Sequence, residues 1–150
     1  MVHEAMLTPR RGVSAEGRES RLARILVVDG DVASRLTLQT VLRAGGYWVE
    51  AAASASEAVG LLDDRRYDLV LSDLRLESPE AGLKVLAHAR MQDYRPATAL
   101  VTAHLDSEVP FLQDMVVETQ GIASLLTQVA DLIGLRAMRR VERLRRQATA

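Results

Sequence analysis

Cysteine is absent from the 150-residue chain, so disulfide bonds and thiolate metal sites are excluded. The sequence also has no apolar run of about 18 residues, the length that a membrane-spanning helix needs. The first twenty residues lack the apolar centre of a secretory signal. We therefore expect a cytoplasmic protein that does not associate with membranes.

Lysine and aromatic residues are both scarce. The chain has a single lysine, Lys84, and aromatic side chains make up 3% of it. The three histidines are too far apart in the sequence to indicate a metal cluster. Arginine is concentrated in residues 131–150, but no recognition helix or aromatic platform accompanies it, so nucleic-acid binding is not expected. No hydrolase or phosphate-loop motif is present either, so we do not expect an enzyme.

Short apolar runs alternate along the chain with segments of helical periodicity. The predicted strands are 25–28, 47–51, 68–72, 97–102 and 122–126, and the predicted helices are 32–44, 54–62, 82–90, 110–118 and a last one from about residue 131. The first run, Ile25-Leu26-Val27-Val28, is apolar on both faces, which is typical of a buried strand in a parallel sheet. The alternation predicts an α/β fold with a parallel sheet, helices on both of its faces and right-handed crossovers.

Polar residues follow the predicted strands at the edge where open parallel sheets bind their ligands. They are Asp29 and Asp31 after the first strand, Asp73 after the third, Thr102 at the end of the fourth, and Thr127 and Gln128 after the fifth. Three carboxylates at one edge repel each other, and a hard cation such as Mg²⁺ would relieve that repulsion. The sequence therefore predicts a magnesium site at this edge.

Four segments of the chain resemble motifs of the response-regulator receiver domains of two-component signalling. They are Ile25–Asp29, Tyr67–Leu76, Leu100–Ala103 and Gly121–Thr127. The resemblance covers about residues 24–133, and the motifs occur in the family's order and spacing. It implies a flavodoxin-like, doubly wound sheet of five parallel strands in the order 2-1-3-4-5, and a function in phosphorelay signal transduction.

The resemblance also implies roles for individual residues. Asp73 would be the phosphoacceptor, and Thr102 would turn toward the new phosphate as the switch residue. Asp29, Asp73 and the backbone carbonyl of Arg75 would hold Mg²⁺, with Asp31 as a further candidate ligand. The implied partners are a histidine kinase or phosphotransfer protein, and a downstream protein that meets the face formed by the fourth helix, the fifth strand and the fifth helix.

The sequence departs from the family pattern at four positions. Gly30 stands where a second, metal-binding acid is usual, and Gln128 aligns with the usual lysine after the fifth strand. Glu77 aligns with a usual proline and would add negative charge beside the pocket. Leu125 aligns with the usual aromatic switch residue. A neutral amide at position 128 supplies no positive charge for a phosphate.

These departures leave two functions open. The first is a receiver that accepts a phosphoryl group on Asp73. The second is a pseudo-receiver that keeps the fold and acts as a protein-interaction module without phosphorylation. Asp31 has an alternative role as the N-cap of the first helix. Arg75 is either a residue that gates the pocket or a solvated loop residue.

The chain divides into a flexible N-terminal extension (1–20), a receiver domain (21–135) and an Arg-rich helical extension (136–150). In the last helix, apolar residues at positions 133, 137, 141, 144 and 148 form one stripe. This stripe either pairs with a second copy in a homodimer or belongs to a solvated tail. The residues beyond the receiver domain are too few for an output domain, so we expect action in trans.

Overall fold

The computed structural model describes residues 22–73, 76–102, 116–118 and 121–149. A parallel sheet forms its centre, with strands β1 (Arg24–Val28), β2 (Trp48–Ala52), β3 (Leu69–Asp73), β4 (Ala97–Thr102) and β5 (Val116–Glu118). The strands lie in the order β2-β1-β3-β4-β5. The α/β class and the order of the first four strands confirm the prediction.

The described helices are α1 (Val32–Ala44), α2 (Ala55–Asp64), α3 (Pro79–Arg90) and α4 (Ile122–Thr149). Side chains of successive strand residues point to opposite faces of the sheet, so each strand contributes to two cores. On one face, Ile25 and Val27 of β1 pack with residues of α1 and α4. On the other face, Leu26 and Val28 pack with residues of α2 and α3. The sheet is therefore covered on both sides, as the alternation of strands and helices predicts.

Local signals in the sequence explain the connections that follow α1 and β2. Gly46 follows α1 with a φ of 97°, a conformation that glycine adopts without steric strain. The predicted N-cap of α2 is confirmed, because the Ser54 side chain accepts a hydrogen bond from the Glu57 backbone N–H. The Glu57 carboxylate reaches back to accept from the N–H of Ala53, at 3.0 Å. The capping box therefore extends one residue further back than its usual form.

The predicted fifth strand is wrong. Residues 122–126 form the first turns of α4, and a three-residue strand, Val116–Glu118, pairs with the end of β4 instead. The predicted helix at 110–118 is also wrong over 116–118, and its other residues lie outside the described part of the chain. Leu125 and Val129, four residues apart on one side of α4, are both buried. This helical spacing, rather than strand alternation, matches the core face that the segment must cover.

Two other helices begin earlier than predicted. The third helix starts at Pro79, three residues before the expected position, because Ser78 caps it and proline suits the first helical position. The last helix starts at Ile122 rather than near residue 131. No helix in the described part of the chain is long and apolar enough to cross a membrane.

The arginine at position 136 anchors α4 to the sheet. Its guanidinium group forms an ion pair with Asp68 at 2.8 Å and donates to the backbone carbonyls of Tyr94 and Arg95. Asp68 also accepts a hydrogen bond from the backbone N–H of Arg24, so one carboxylate connects β1, β3 and α4. Beyond this anchor, Met138, Val141 and Leu144 are exposed.

Candidate functional site

The strand register brings two predicted site residues together. Val28 of β1 pairs with Ser72 of β3, so the next residues, Asp29 and Asp73, are neighbours across strands about 4.8 Å apart. Both strands alternate in phase, so the two aspartates share the face of the sheet that α1 and α4 cover. A cleft of about 430 Å³ opens here, and its lining includes Asp29, Asp31, Asp73, Leu38, Val101 and Ile122.

Asp29 is a buried carboxylate, with only 5% of its surface exposed. Burial raises its pKa, and the nearby negative charges of Asp73 and Asp31 act in the same direction. A hydrogen bond from the Asp31 backbone N–H to Oδ1, at 2.9 Å, partly opposes this shift. The site therefore holds an anion in surroundings that disfavour its charge, which makes a nearby cation favourable.

Asp31 takes its alternative role as the N-cap of α1. Its Oδ2 accepts a hydrogen bond from the Ser34 N–H at 2.9 Å, and this bond lowers the pKa of the carboxyl group. The side chain is exposed and also lines the cleft. To bind a metal through Oδ2, it would have to give up the cap.

The site has space for a side chain at Gly30. A Cβ there would meet only the Ala53 carbonyl oxygen, at 3.6 Å, which is an ordinary van der Waals distance. Gly30 is exposed, and its φ lies outside the left-handed region that favours glycine. Position 30 would therefore accept an acidic side chain, and steric hindrance does not explain the glycine.

Gly82 controls how closely α3 approaches Asp73. A Cβ at position 82 would overlap the Asp73 carbonyl oxygen and would come within 3.4 Å of Ser72 Oγ. Only glycine allows the first turn of α3 to pack directly on the end of β3. The backbone of the predicted phosphoacceptor is therefore supported by a helix that contacts it without an intervening side chain.

Arg35 is a site residue that the sequence analysis missed. Its Nη1 donates to the backbone carbonyl of Asp29 at 2.9 Å, and its positive charge lowers the pKa of both Asp29 and Asp31. Its position four residues after Asp31 places it one turn along the same helix, but this spacing does not indicate the contact with the Asp29 carbonyl.

Similarity to known proteins points to one family. The profile described as the response regulator receiver domain matches residues 25–122. The chain belongs to the response regulator receiver domain family. Its sequence is 38% identical over 100 residues to the alginate biosynthesis transcriptional regulatory protein AlgB of Pseudomonas putida, covering 65% of this chain and 22% of AlgB. It is 33% identical over 110 residues to the transcriptional regulatory protein GlrR of Escherichia coli, covering 73% of this chain and 23% of GlrR.

Solved structures agree with this receiver fold. The chemotaxis response regulator CheY4 of Vibrio cholerae superposes with a TM-score of 0.65 at 22% identity, covering 74% of this chain and 98% of CheY4. At that identity the likeness shows the fold alone. The chain spans about a fifth of the length of the curated relatives AlgB and GlrR.

Receiver domains of this family generally bind Mg²⁺ at the phosphorylation site. Asp29 and Asp73 supply hard carboxylate oxygens in adjacent positions, and Mg²⁺ is commonly held by one or two carboxylates with water completing its shell. The donor set therefore fits the ion, although the described residues contain no cluster of three His, Cys, Asp or Glu side chains that could hold a metal. Arg75, expected to contribute a carbonyl ligand, lies outside the described residues.

The structure corrects two alignments at the fifth strand of the receiver. Leu125 and Gln128 lie on α4, so neither occupies the strand position expected for it. The Gln128 amide donates to the carbonyl oxygen and the hydroxyl of Ser124, at 3.2 and 3.1 Å. The residue that ends β5 is Glu118, which pairs with Thr102 at the end of β4. An acidic residue type therefore stands at the end of the fifth strand.

Glu77, expected beside the pocket, has a specific structural partner. Its Oε1 accepts a hydrogen bond from the backbone N–H of Ala55 at 2.7 Å, at the start of α2. A carboxylate is favourable at a helix N-terminus because the unpaired N–H groups there carry partial positive charge. Glu77 therefore ties the β3–α3 connection to α2.

Proposed function

We propose that this receiver domain accepts a phosphoryl group on Asp73 from a histidine kinase or phosphotransfer protein. The observation that carries the proposal is that Asp29 and Asp73, which directly follow the paired residues Val28 and Ser72, line one cleft at the carboxyl edge of the sheet. Membership of the family supports a role in two-component signal transduction.

In the proposed reaction, a carboxylate oxygen of Asp73 attacks the phosphorus of a phosphohistidine. The phosphorus–nitrogen bond breaks, the imidazole leaves, and an acyl phosphate forms on Asp73. Mg²⁺, when bound, would neutralise part of the charge on the transferring group. Asp29 would help to hold that ion, and the close packing of Gly82 against the Asp73 backbone would support the nucleophile.

The direct test is intact mass spectrometry after incubation with acetyl phosphate and Mg²⁺, with Asp73→Asn as the control. One phosphoryl adduct that Asp73→Asn lacks supports the proposal. No adduct on the wild-type chain, with an unchanged circular dichroism spectrum and with a kinase donor also tried, contradicts it.

We further propose that the phosphorylated domain signals in trans to a partner protein through Thr102 and the face around β5 and α4. Homodimerisation through the exposed residues Met138, Val141 and Leu144 of α4 is part of this proposal. Light scattering should detect a dimer that is lost when residues 139–150 are removed, a truncation that keeps the Arg136 anchor. A monomer at high concentration in both forms would rule the dimer out.

A second candidate function is a pseudo-receiver that binds a protein without phosphorylation. Three observations favour it: Gly30 offers no ligand, Asp31 is used as a helix cap, and β5 ends in an acid rather than a base. A calorimetric Mg²⁺ titration separates the two functions. Binding that Asp73→Asn weakens supports the receiver, and no binding at millimolar Mg²⁺ supports the pseudo-receiver.

A further inference from the structure

The carboxyl edge of the sheet has an excess of acidic residues. Asp29, Asp31 and Asp73 line one cleft, and β5 ends in Glu118. The only lysine of the chain, Lys84, lies on α3, and no basic residue, Arg35 included, is among the described residues that line this cleft. The carboxylates of the three aspartates repel one another, and a positive charge nearby would stabilise the folded arrangement.

Arg35 is placed where it can supply that charge. Its positive charge acts on both Asp29 and Asp31, although burial and backbone hydrogen bonds influence these two carboxyl groups more strongly. Its guanidinium group is held by the hydrogen bond to the Asp29 carbonyl oxygen, and its side chain is half-buried. The guanidinium group of arginine is a permanent positive charge in proteins.

We propose that Arg35 is a positioning residue that offsets the carboxylates of the acidic cleft and holds the Asp29 backbone in place, so that it replaces part of the charge that a lysine or a metal ion would provide. Its effect on phosphoryl transfer rests on the proposed function of Asp73. Its effects on metal binding and on the stability of the metal-free protein do not rest on that function.

The charge of Arg35 has opposite effects on two ligands. It repels a divalent cation bound between Asp29 and Asp73, and it attracts an anionic phosphoryl donor. Removing only the charge should therefore tighten Mg²⁺ binding, by roughly twofold or more for a unit charge within one Debye length of a divalent ion, with the larger effect at low salt. The same change should slow phosphorylation of Asp73. A substitution that only damaged the site would weaken Mg²⁺ binding and slow the phosphorylation of Asp73.

The experiment compares three variants by Mg²⁺ calorimetry and by the rate of acetyl phosphate labelling. Arg35→Gln removes the charge, and Arg35→Lys keeps it. Arg43→Gln is the matched control, because Arg43 lies on the same helix and also donates to a backbone carbonyl, that of Val49, at 3.1 Å. We expect tighter Mg²⁺ binding and slower labelling for Arg35→Gln, recovery of both in Arg35→Lys, and no change in Arg43→Gln.

A metal-free measurement keeps the inference testable if the chain binds no Mg²⁺ or accepts no phosphoryl group. Free energies of unfolding are measured for Arg35→Gln, Asp29→Asn and the double variant in EDTA at low salt. If the charge of Arg35 offsets that of Asp29, Arg35→Gln should lower the free energy of unfolding less in the Asp29→Asn background than in the wild type. Additive effects of the two substitutions, or weaker Mg²⁺ binding in Arg35→Gln, would overturn the proposal about Arg35. If only the labelling of the wild type is missing, that result counts against the proposed function of Asp73 and not against the proposal about Arg35.

Discussion

Substitution of Gly30 by aspartate should convert a weak magnesium site into a stronger one. The backbone at Gly30 suits any residue, and a Cβ meets nothing closer than 3.6 Å, so the variant should fold. The new carboxylate would lie next to Asp29, at the edge that already presents Asp73. A third hard oxygen ligand would then be available without drawing Asp31 from its role as the cap of α1.

The expected gain follows from Coulomb's law. A carboxylate about 4 Å from a divalent ion contributes about 2 kcal/mol even in a water-like dielectric. That energy corresponds to roughly 30-fold tighter binding. Burial of the neighbouring Asp29 lowers the local dielectric and raises this figure, whereas screening by salt and repulsion among the carboxylates lower it. Without metal, that repulsion should lower the melting temperature of the variant.

Isothermal titration calorimetry with Mg²⁺ measures the affinity, and thermal melts with EDTA or Mg²⁺ measure the stability. The matched control is Gly60→Asp, which adds the same charge at an exposed glycine of α2 with open space around it. Gly30→Asp should bind Mg²⁺ more tightly than both the wild type and Gly60→Asp. A folded Gly30→Asp with wild-type affinity would show that residue 30 does not face the metal position, and the reasoning from Gly30 would fail.

Three further predictions concern stability. Gly82→Ala should destabilise the fold by about 1–3 kcal/mol in chemical denaturation, because the new Cβ overlaps the Asp73 carbonyl oxygen; an unchanged midpoint would contradict this contact. Arg136→Ala should lower the free energy of unfolding by about 1–3 kcal/mol, because Asp68 loses its ion-pair partner and two backbone carbonyls lose a donor. Urea unfolding at neutral pH measures this loss. Asp29→Asn should stabilise the protein at pH 7. The pKa of Asp29 is raised in the folded state, so the folded chain binds a proton at Asp29 more tightly than the unfolded chain does. The ionised Asp29 therefore destabilises the fold above that raised pKa. This destabilisation disappears as the pH falls through the raised pKa toward 3.8. The advantage of Asp29→Asn should therefore shrink in acid, and an advantage that grows in acid would show that the sign of the pKa shift is wrong.

The first four strands could be predicted from the sequence because each is an apolar run with polar residues at its end. The run from Ile25 to Val28 has no helical period, and its length suits a strand. Asp29 and Asp73 could be placed for the same reason, since a parallel sheet gathers the residues that follow its strands at one edge. The N-cap role of Asp31 was likewise visible from its position before a helix.

The fifth strand could not be placed this way. Val116, Val117 and Glu118 form a run of only three residues, whereas the segment from Ile122 to Leu126 is a longer apolar run that suits a strand or a buried helix equally. Because the strand was misplaced, the residues aligned to it were assigned to the wrong positions. Gln128 was assigned to a strand end although it lies on a helix.

The sequence by itself therefore determined the α/β class, the strand-end carboxylates and the missing acid at Gly30, because these follow from residue type and local order. Only the tertiary structure decided the roles of Arg35, Gly82 and Arg136. Each of these residues acts through a backbone carbonyl, that of Asp29, Asp73 or Tyr94 and Arg95. A backbone carbonyl is present in every residue, so no pattern of side chains in the sequence can reveal which one a distant part of the chain will approach.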